Sequence, residues 1–189
     1  MAGKKIGILA LQGAFLEHEQ AVKKCGALPV QVRTIADVNS IDSLIIPGGE
    51  STTIGRLMKT FGLDGAIKER TRQGMPVWGT CAGMILMAQE IAGSDQFRLG
   101  LMDIGVKRNA FGRQVDSFET SLDVDGLGKT KGVFIRAPYV EKVWGDVRVL
   151  AKHQDKIVMV QEGRNLLATA FHPELTDSLD IHKYFLAMG

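Results

Sequence analysis

A chain of 189 residues, 45% hydrophobic and 23% charged, carries enough apolar material for one well-packed domain and too much for disorder. Its 23 basic and 21 acidic residues leave a net charge of +2, which gives no support for nucleic acid or another polyanion as partner. Two cysteines, Cys25 and Cys81, are too few for a disulfide framework and point to a reducing, cytoplasmic setting, and no stretch approaches membrane-spanning length.

The N-terminal segment leads into a short apolar run, Ile6 to Leu11, too short for a secretion signal and suited to a strand over 5–11 that is buried on both faces. Gln12-Gly13 turns the chain. A helix is predicted over 14–24, with Phe15, Val22 and Cys25 on one side and Glu17, Glu19 and Lys23 on the other. Gly26 closes it. A second strand follows over 28–33, a loop or short turn over 37–40, and a third strand over 43–47. After it comes Pro47-Gly48-Gly49-Glu50-Ser51, where paired glycines imply a sharp turn or a close approach to a ligand. Helix is predicted over 52–60 and, after an interruption at Gly62 to Gly65, over 66–73. A short buried strand then ends at Thr80, Cys81 marks a tight turn, and a helix is predicted over 82–91.

Strands alternating with helices at this spacing predict an α/β fold: three layers around a doubly wound, mostly parallel sheet. In such sheets ligands bind beyond the carboxyl ends of the strands, so Gln12, Gly48-Gly49 and Cys81 belong on one edge. The second half reads differently. Short strands over 106–107, 114–124, 131–137, 147–152, 156–161 and 166–171, with turns at Gly126-Leu127-Gly128 and Glu162-Gly163-Arg164-Asn165, have hairpin spacing and predict an antiparallel or mixed extension. A final helix is expected over 176–188. With no internal repeat or linker, residues 1–189 read as one domain.

The segment Gly79-Thr80-Cys81-Ala82-Gly83, between strand and helix, has the form of a nucleophile elbow with sulfur in place of the hydroxyl. A strained turn needs tiny neighbours, supplied by Gly79, Ala82 and Gly83, and a helix N-terminus favours a thiolate. A cysteine nucleophile needs a base, and the base an orienting partner. Of His18, His153, His172 and His182, only His172 directly follows an apolar strand and has a carboxylate, Glu174, two positions on. Residues i and i+2 of an extended segment point the same way, so Glu174 can bond the His172 ring. A tetrahedral intermediate needs N–H donors, for which Ala82 and the Gly48-Gly49 loop are candidates. The chemistry implied is thiol-dependent acyl transfer or hydrolysis.

Three motifs in this order, Pro47-Gly48-Gly49-Glu50-Ser51, Gly79-Thr80-Cys81-Ala82-Gly83 and Phe171-His172-Pro173-Glu174, resemble the class I, triad-type glutamine amidotransferases, whose fold is flavodoxin-like. The resemblance narrows to the glutaminase subunits of pyridoxal 5′-phosphate synthases through Gly7-Ile8-Leu9-Ala10-Leu11-Gln12-Gly13, Gly48-Gly49-Glu50-Ser51-Thr52-Thr53, Arg108-Asn109-Ala110-Phe111-Gly112-Arg113-Gln114 and Val133-Phe134-Ile135-Arg136-Ala137-Pro138. It runs nearly end to end, with no departure at Cys81, His172 or Glu174, though the last helix ends early, at Gly189. The resemblance implies hydrolysis of L-glutamine to glutamate and ammonia, with Cys81 as nucleophile, His172 as acid and base and Glu174 as its orienter. It further implies glutamine held by Gly49, Glu50, Ser51, Arg108, Ile135 and Arg136, and a partner-sensing role for Gln12. The implied partner is a (β/α)8-barrel synthase subunit that receives the ammonia, and no cofactor or metal is expected on this chain.

Blander readings stand beside these. A free cysteine such as Cys81 is most commonly a small buried hydrophobe, and Cys25, at the end of an amphipathic helix, fits that description. His18, His153 and His182 read as surface or helix-face residues without a role. Arg108 and Arg136, taken alone, are solvated charges. Met58, Met84 and Met87 read as packing, and Asp116 with Glu119 as a solvent face. Another triad amidotransferase, a stand-alone cysteine hydrolase and a non-catalytic module remain alternatives.

Overall fold

The computed structural model describes residues 3–108 and 117–188. Its first half is built as expected from alternating strands and helices: β1 (Lys5–Leu9), α1 (Phe15–Lys24), β2 (Leu28–Val32), α2 (Ile35–Ser40), β3 (Ser43–Ile46), α3 (Ser51–Thr60), α4 (Leu63–Arg72), β4 (Val77–Thr80) and α5 (Ala82–Met87). Three of these elements differ from expectation, the first being α4, which starts at Leu63 straight after Gly62 and holds Gly65 inside it where a break was expected. The segment read as a loop is the helix α2, nucleated by a capping box in which the Thr34 side chain accepts from the Asp37 N–H and Asp37 accepts from the Thr34 N–H. The helix expected over 82–91 stops at Met87. Ala88 turns to extended backbone (ψ 148°), and β5 (Ala88–Ile91) pairs in parallel with β6 (Met102–Lys107).

The second half is strand-rich: β7 (Ser117–Val124), β8 (Gly128–Ile135), β9 (Tyr139–Val143), β10 (Val147–His153), β11 (Lys156–Glu162) and β12 (Leu166–Thr169). A 3-10 turn, Pro173–Leu175, and α6 (Asp180–Leu186) complete it. Strand β9 has no counterpart in the sequence reading, and α6 is shorter than the helix expected. The first three positions of the strand expected from Gln114, the segment 109–114 and Asp116 lie outside the described residues.

One sheet carries the order β2-β1-β3-β4-β12-β11-β9-β6-β5, with β10 paired to β11, while β7 and β8 form a separate hairpin. Strands β2, β1, β3, β4 and β12 run parallel. The chain reverses at β11, which is antiparallel to β12, β9 and β10. This is the doubly wound sheet with a mixed extension read from the sequence. The apolar runs are buried throughout: Ile6, Ile8, Leu44, Ile45, Ile46, Val77, Trp78 and Leu167 all lack solvent exposure. Met58, Met84 and Met87 are core residues, and Glu119 pairs with Lys131 on an exposed face.

Parallel order fixes where the loops after β1, β3, β4 and β12 emerge. These strands are successive neighbours running the same way, so the segments carrying Gln12, Gly48-Gly49, Cys81 and His172 leave one end of the sheet together. The elbow helix seats against β3 so closely that a Cβ on Gly83 would lie 2.1 Å from the Ile46 carbonyl oxygen, a backbone atom that cannot step aside. Gly65, inside α4, has open space around it. Gly83→Ala is therefore expected to lose about 1–3 kcal/mol or more through overpacking. Gly65→Ala is expected to gain about 0.5–1 kcal/mol by restricting the unfolded chain. Denaturant unfolding of the two variants checks both signs.

Candidate active site

Cys81 sits between β4 and α5 with φ 48° and ψ −100°, a left-handed backbone that few side chains tolerate. Its N–H donates to the Thr169 carbonyl of β12 at 2.8 Å, so the turn is tied to the strand that leads to His172. A Cβ on Gly79 would lie 2.4 Å from the Gly83 carbonyl carbon, so the elbow closes only with glycine there. The thiol is 8% exposed and lies 3.9 Å from the Ile135 carbonyl oxygen. Cys25, at the end of α1, is half-buried against the core, and burial pushes its thiol upward.

His172 follows β12 and is anchored by its own N–H, which donates to the Val133 carbonyl at 2.8 Å. The ring lies against Gly48: a Cβ there would be 2.4 Å from His172 Cε1 and 3.4 Å from Cys81 Cβ. Pro173–Leu175 forms a 3-10 turn instead of continuing extended, and it still delivers Glu174 to the ring. His172 Nδ1 donates to Glu174 Oε1 at 2.7 Å, both side chains being almost wholly buried. With Nδ1 engaged there, Nε2 is the nitrogen left for the sulfur. The structure thus brings Cys81, His172 and Glu174 into one cluster.

Burial alone would push the His172 ring toward neutrality. Hydrogen bonds to Cys81 and Glu174 and attraction to both outweigh it and raise the ring to about 10. Burial also opposes the charge on Glu174, but the facing His18 ring and the bond from His172 hold it below the usual carboxylate range. The ring is accordingly an imidazolium at neutral pH, bound to a carboxylate and facing the Cys81 sulfur.

The Gly48 carbonyl accepts from the Ala14 N–H at 3.0 Å. Across a planar trans peptide, the Gly49 N–H points away from that contact. Gln12 Oε1 accepts from the Glu50 N–H at 2.8 Å, so the segment after β1 grips the glycine loop at two points. A Cβ on Gly13 would strike the Gly48 oxygen at 1.9 Å, which explains the glycine after Gln12. Ala82 follows Cys81 as the first residue of α5 and is 1% exposed, although α5 runs only from Ala82 to Met87 and lends a weak dipole.

Glu50 is the N-cap of α3. Burial opposes its charge, but four bonds, from the backbone and hydroxyl groups of Thr52 and Thr53, hold it down at about 2. Arg108 lies 4.0 Å from Glu50 Oε1 and donates to Gln96 Oε1 at 2.8 Å, while Gln96 Nε2 donates to Ser51 Oγ at 3.0 Å. Glu50, Ser51 and Arg108 are therefore brought together, with Gln96 as a link that sequence reasoning missed. Ile135 ends β8 and Arg136 follows it, on the Cys81 side. Both are exposed, and Arg136 takes φ 43°.

Two histidines read as surface or helix-face residues are buried instead: His18 is 0% and His182 is 1% exposed. His18 Nε2 stands 3.4 Å from Glu174 Oε2 and 3.2 Å from Thr80 Oγ1, and His18 Nδ1 is 3.1 Å from His182 Nε2. A signal existed, since Phe15, His18, Val22 and Cys25 share one helical line.

The sequence profile of the SNO glutamine amidotransferase family matches residues 8–189. The chain belongs to that family. Among relatives, the pyridoxal 5′-phosphate synthase subunit PdxT of Pelotomaculum thermopropionicum is 58% identical over 184 residues, 96% of this chain and 93% of that protein. The PdxT of Desulforamulus reducens is 55% identical over 97% of this chain and 98% of its own. A crystal structure described as a glutamine amidotransferase superposes with a TM-score of 0.92 at 47% identity, over 96% of each chain. A chain in the structure of PurLQS from Thermotoga maritima, at 16% identity and a TM-score of 0.67 over 98% of each chain, shares the fold.

In this family member the His172 ring titrates well above the 6.5 of an unfolded chain. That protonation adds stability which is complete below about pH 6.5 and fades as the pH climbs through about 10. Glu174→Gln removes the anion, so the His172 midpoint, followed by imidazole NMR, is expected to move down from about 10. An unchanged midpoint would show that Glu174 does not hold the ring.

Proposed function

We propose that this chain hydrolyses L-glutamine to L-glutamate and ammonia through a thioester on Cys81, and delivers the ammonia to a separate synthase subunit for pyridoxal 5′-phosphate formation. The juxtaposition of Cys81, His172 and Glu174 at one end of the parallel sheet carries the reading. Relatives at 51–58% identity over nearly the whole chain, named as pyridoxal 5′-phosphate synthase subunits, support the pathway. The parallel sheet, from one end of which Gln12, the Gly48-Gly49 loop, Cys81 and His172 emerge, also supports reading 1–189 as one amidotransferase domain.

The steps follow from the charges. Cys81 sulfur, its proton held on His172 Nε2, attacks the side-chain carboxamide carbon of glutamine, and the carbonyl π electrons move to oxygen. The Ala82 and Gly49 N–H groups receive that oxyanion, and Gly48, lacking a side chain, leaves room for it beside the ring. His172 gives its proton to the departing nitrogen, ammonia leaves, and a thioester remains. The now neutral ring takes a proton from water, hydroxide adds to the thioester, and collapse expels the sulfur and releases glutamate. Glu174 keeps the ring oriented and stabilises its charged form at both stages. No cofactor enters these steps. Glutamine's α-carboxylate and ammonium groups suit the paired charges of Arg108 and Glu50, with Ser51, Ile135 and Arg136 shaping the mouth.

The partner is read as the (β/α)8-barrel subunit of the synthase. Gln12, gripping the Glu50 N–H, is placed to transmit docking to the Gly48-Gly49 peptide. Among the described residues no helix is long and apolar enough to cross a membrane, and both cysteines are free thiols, which favours the cytoplasm.

Cys81→Ser, assayed for glutamate release with the synthase subunit present, is expected to lose at least about 1,000-fold in kcat, as removal of a nucleophile does in comparable triads. Turnover within a few-fold of the parent would overturn the reading.

A further inference from the structure

Glu174 has two carboxylate oxygens, and the chemistry above uses one. Oε1 holds His172 Nδ1. Oε2 is buried without a hydrogen bond of good geometry, a costly state for a charged oxygen. Facing it at 3.4 Å is His18 Nε2, on α1. We propose that His18 is a positioning residue for glutamine hydrolysis: its Nε2–H holds the second oxygen of Glu174, so that the first stays aligned with His172. This rests on the glutaminase reading above.

The tautomers can be worked out from partners. Two oxygens, Glu174 Oε2 and Thr80 Oγ1, face His18 Nε2, so that nitrogen carries the hydrogen. His18 Nδ1 is then a lone pair and accepts from His182 Nε2–H at 3.1 Å. His182 Nδ1 is left bare, in accord with its having no partner in its buried position. This assignment leaves no N–H of either ring unused. Both rings pack edge-on against Trp78, with centroids 5.4 and 4.9 Å away, which fixes their planes.

The charges agree with this. The groups facing His18 are Glu174 from the 3-10 turn, His182 from α6, His172 beyond Glu174, and Glu17 on its own helix. Burial, the dominant influence, lowers His18 despite Glu174, and burial with the neighbouring His18 pushes His182 down to about 3. Both are therefore neutral at physiological pH. A cationic His18 would compete with His172 for the carboxylate, whereas a neutral one orients it and leaves its charge to the imidazolium.

Two near-isosteric variants separate the two nitrogens of His18. The amide nitrogen of His18→Gln can overlay Nε2 and keep the donor toward Glu174. His18→Asn reaches only as far as Nδ1 and loses that donor while keeping a polar group for His182. With the synthase subunit present, His18→Gln is expected within about threefold of the parent, and His18→Asn about ten- to a hundredfold lower in kcat with KM for glutamine unchanged, the loss typical of a displaced catalytic group. On the free subunit, the imidazole NMR titration of His172 is expected to move to lower pH in His18→Asn and to stay in His18→Gln. Should His18→Asn fail to fold, His18→Phe, which keeps the packing on Trp78, takes its place with the same expectation. Folded variants that lose activity equally, or a His172 titration untouched by loss of the donor, would overturn the proposal. The titration needs no glutamine turnover, so it reads the His18 link even if the glutaminase reading fails.

Discussion

Everything at this site depends on one backbone residue held where backbones rarely go. Cys81, at φ 48° and ψ −100°, costs on the order of 1–3 kcal/mol in local strain. The surroundings hold it there: its N–H is bonded to Thr169, β4 is paired on both sides, and α5 is seated on β3 without a side chain between them. The strain turns the thiol out of the sheet and toward the ring that emerges from the neighbouring strand. Relaxing the turn would return the sulfur to the core, where it would be one more small apolar side chain.

The second constraint is electrostatic. A sulfur, an imidazolium and a carboxylate share a largely dry space, and such a group is stable only when each charge has its partner. Glu174 is the pivot, since it faces His172 with one oxygen and His18 with the other. Two neutral histidines and Trp78 behind it make a rigid aromatic wall. A carboxylate carried on a three-residue turn would otherwise have freedom to swing. The network thus converts a flexible side chain into a fixed one and ties α1, β4 and α6 to the Cys81–His172–Glu174 cluster.

The parallel half of the fold was legible because unbroken apolar runs such as Ser43–Ile46 and Val77–Thr80 admit few other readings, and strand order then places their loops together. The cysteine elbow and the His172-Pro173-Glu174 segment were legible for the same reason: each follows a buried strand. Helix α2 was missed although Thr34 and Asp37 stand at capping-box spacing, because only a short apolar pattern follows them. The break at Ala88 was illegible locally. Met84 to Ile91 reads as a continuous helix, and pairing with β6 overrides that propensity. The roles of Gln96 and His182 depend on contacts across the fold that no local pattern encodes. His18 lies on the buried line of its helix, but a histidine's burial there depends on partners from Glu174, Thr80 and His182 that come from distant parts of the chain.

The proposed acyl transfer through the Cys81 sulfur is tested most directly by acid-quenching the chain during glutamine turnover with the synthase subunit present, digesting it, and locating any γ-glutamyl adduct by mass spectrometry. A thioester on the peptide containing Cys81 and not on that containing Cys25 is the predicted result. Sustained turnover with Cys81 unmodified under conditions that preserve thioesters, or an adduct confined to Cys25, would contradict it.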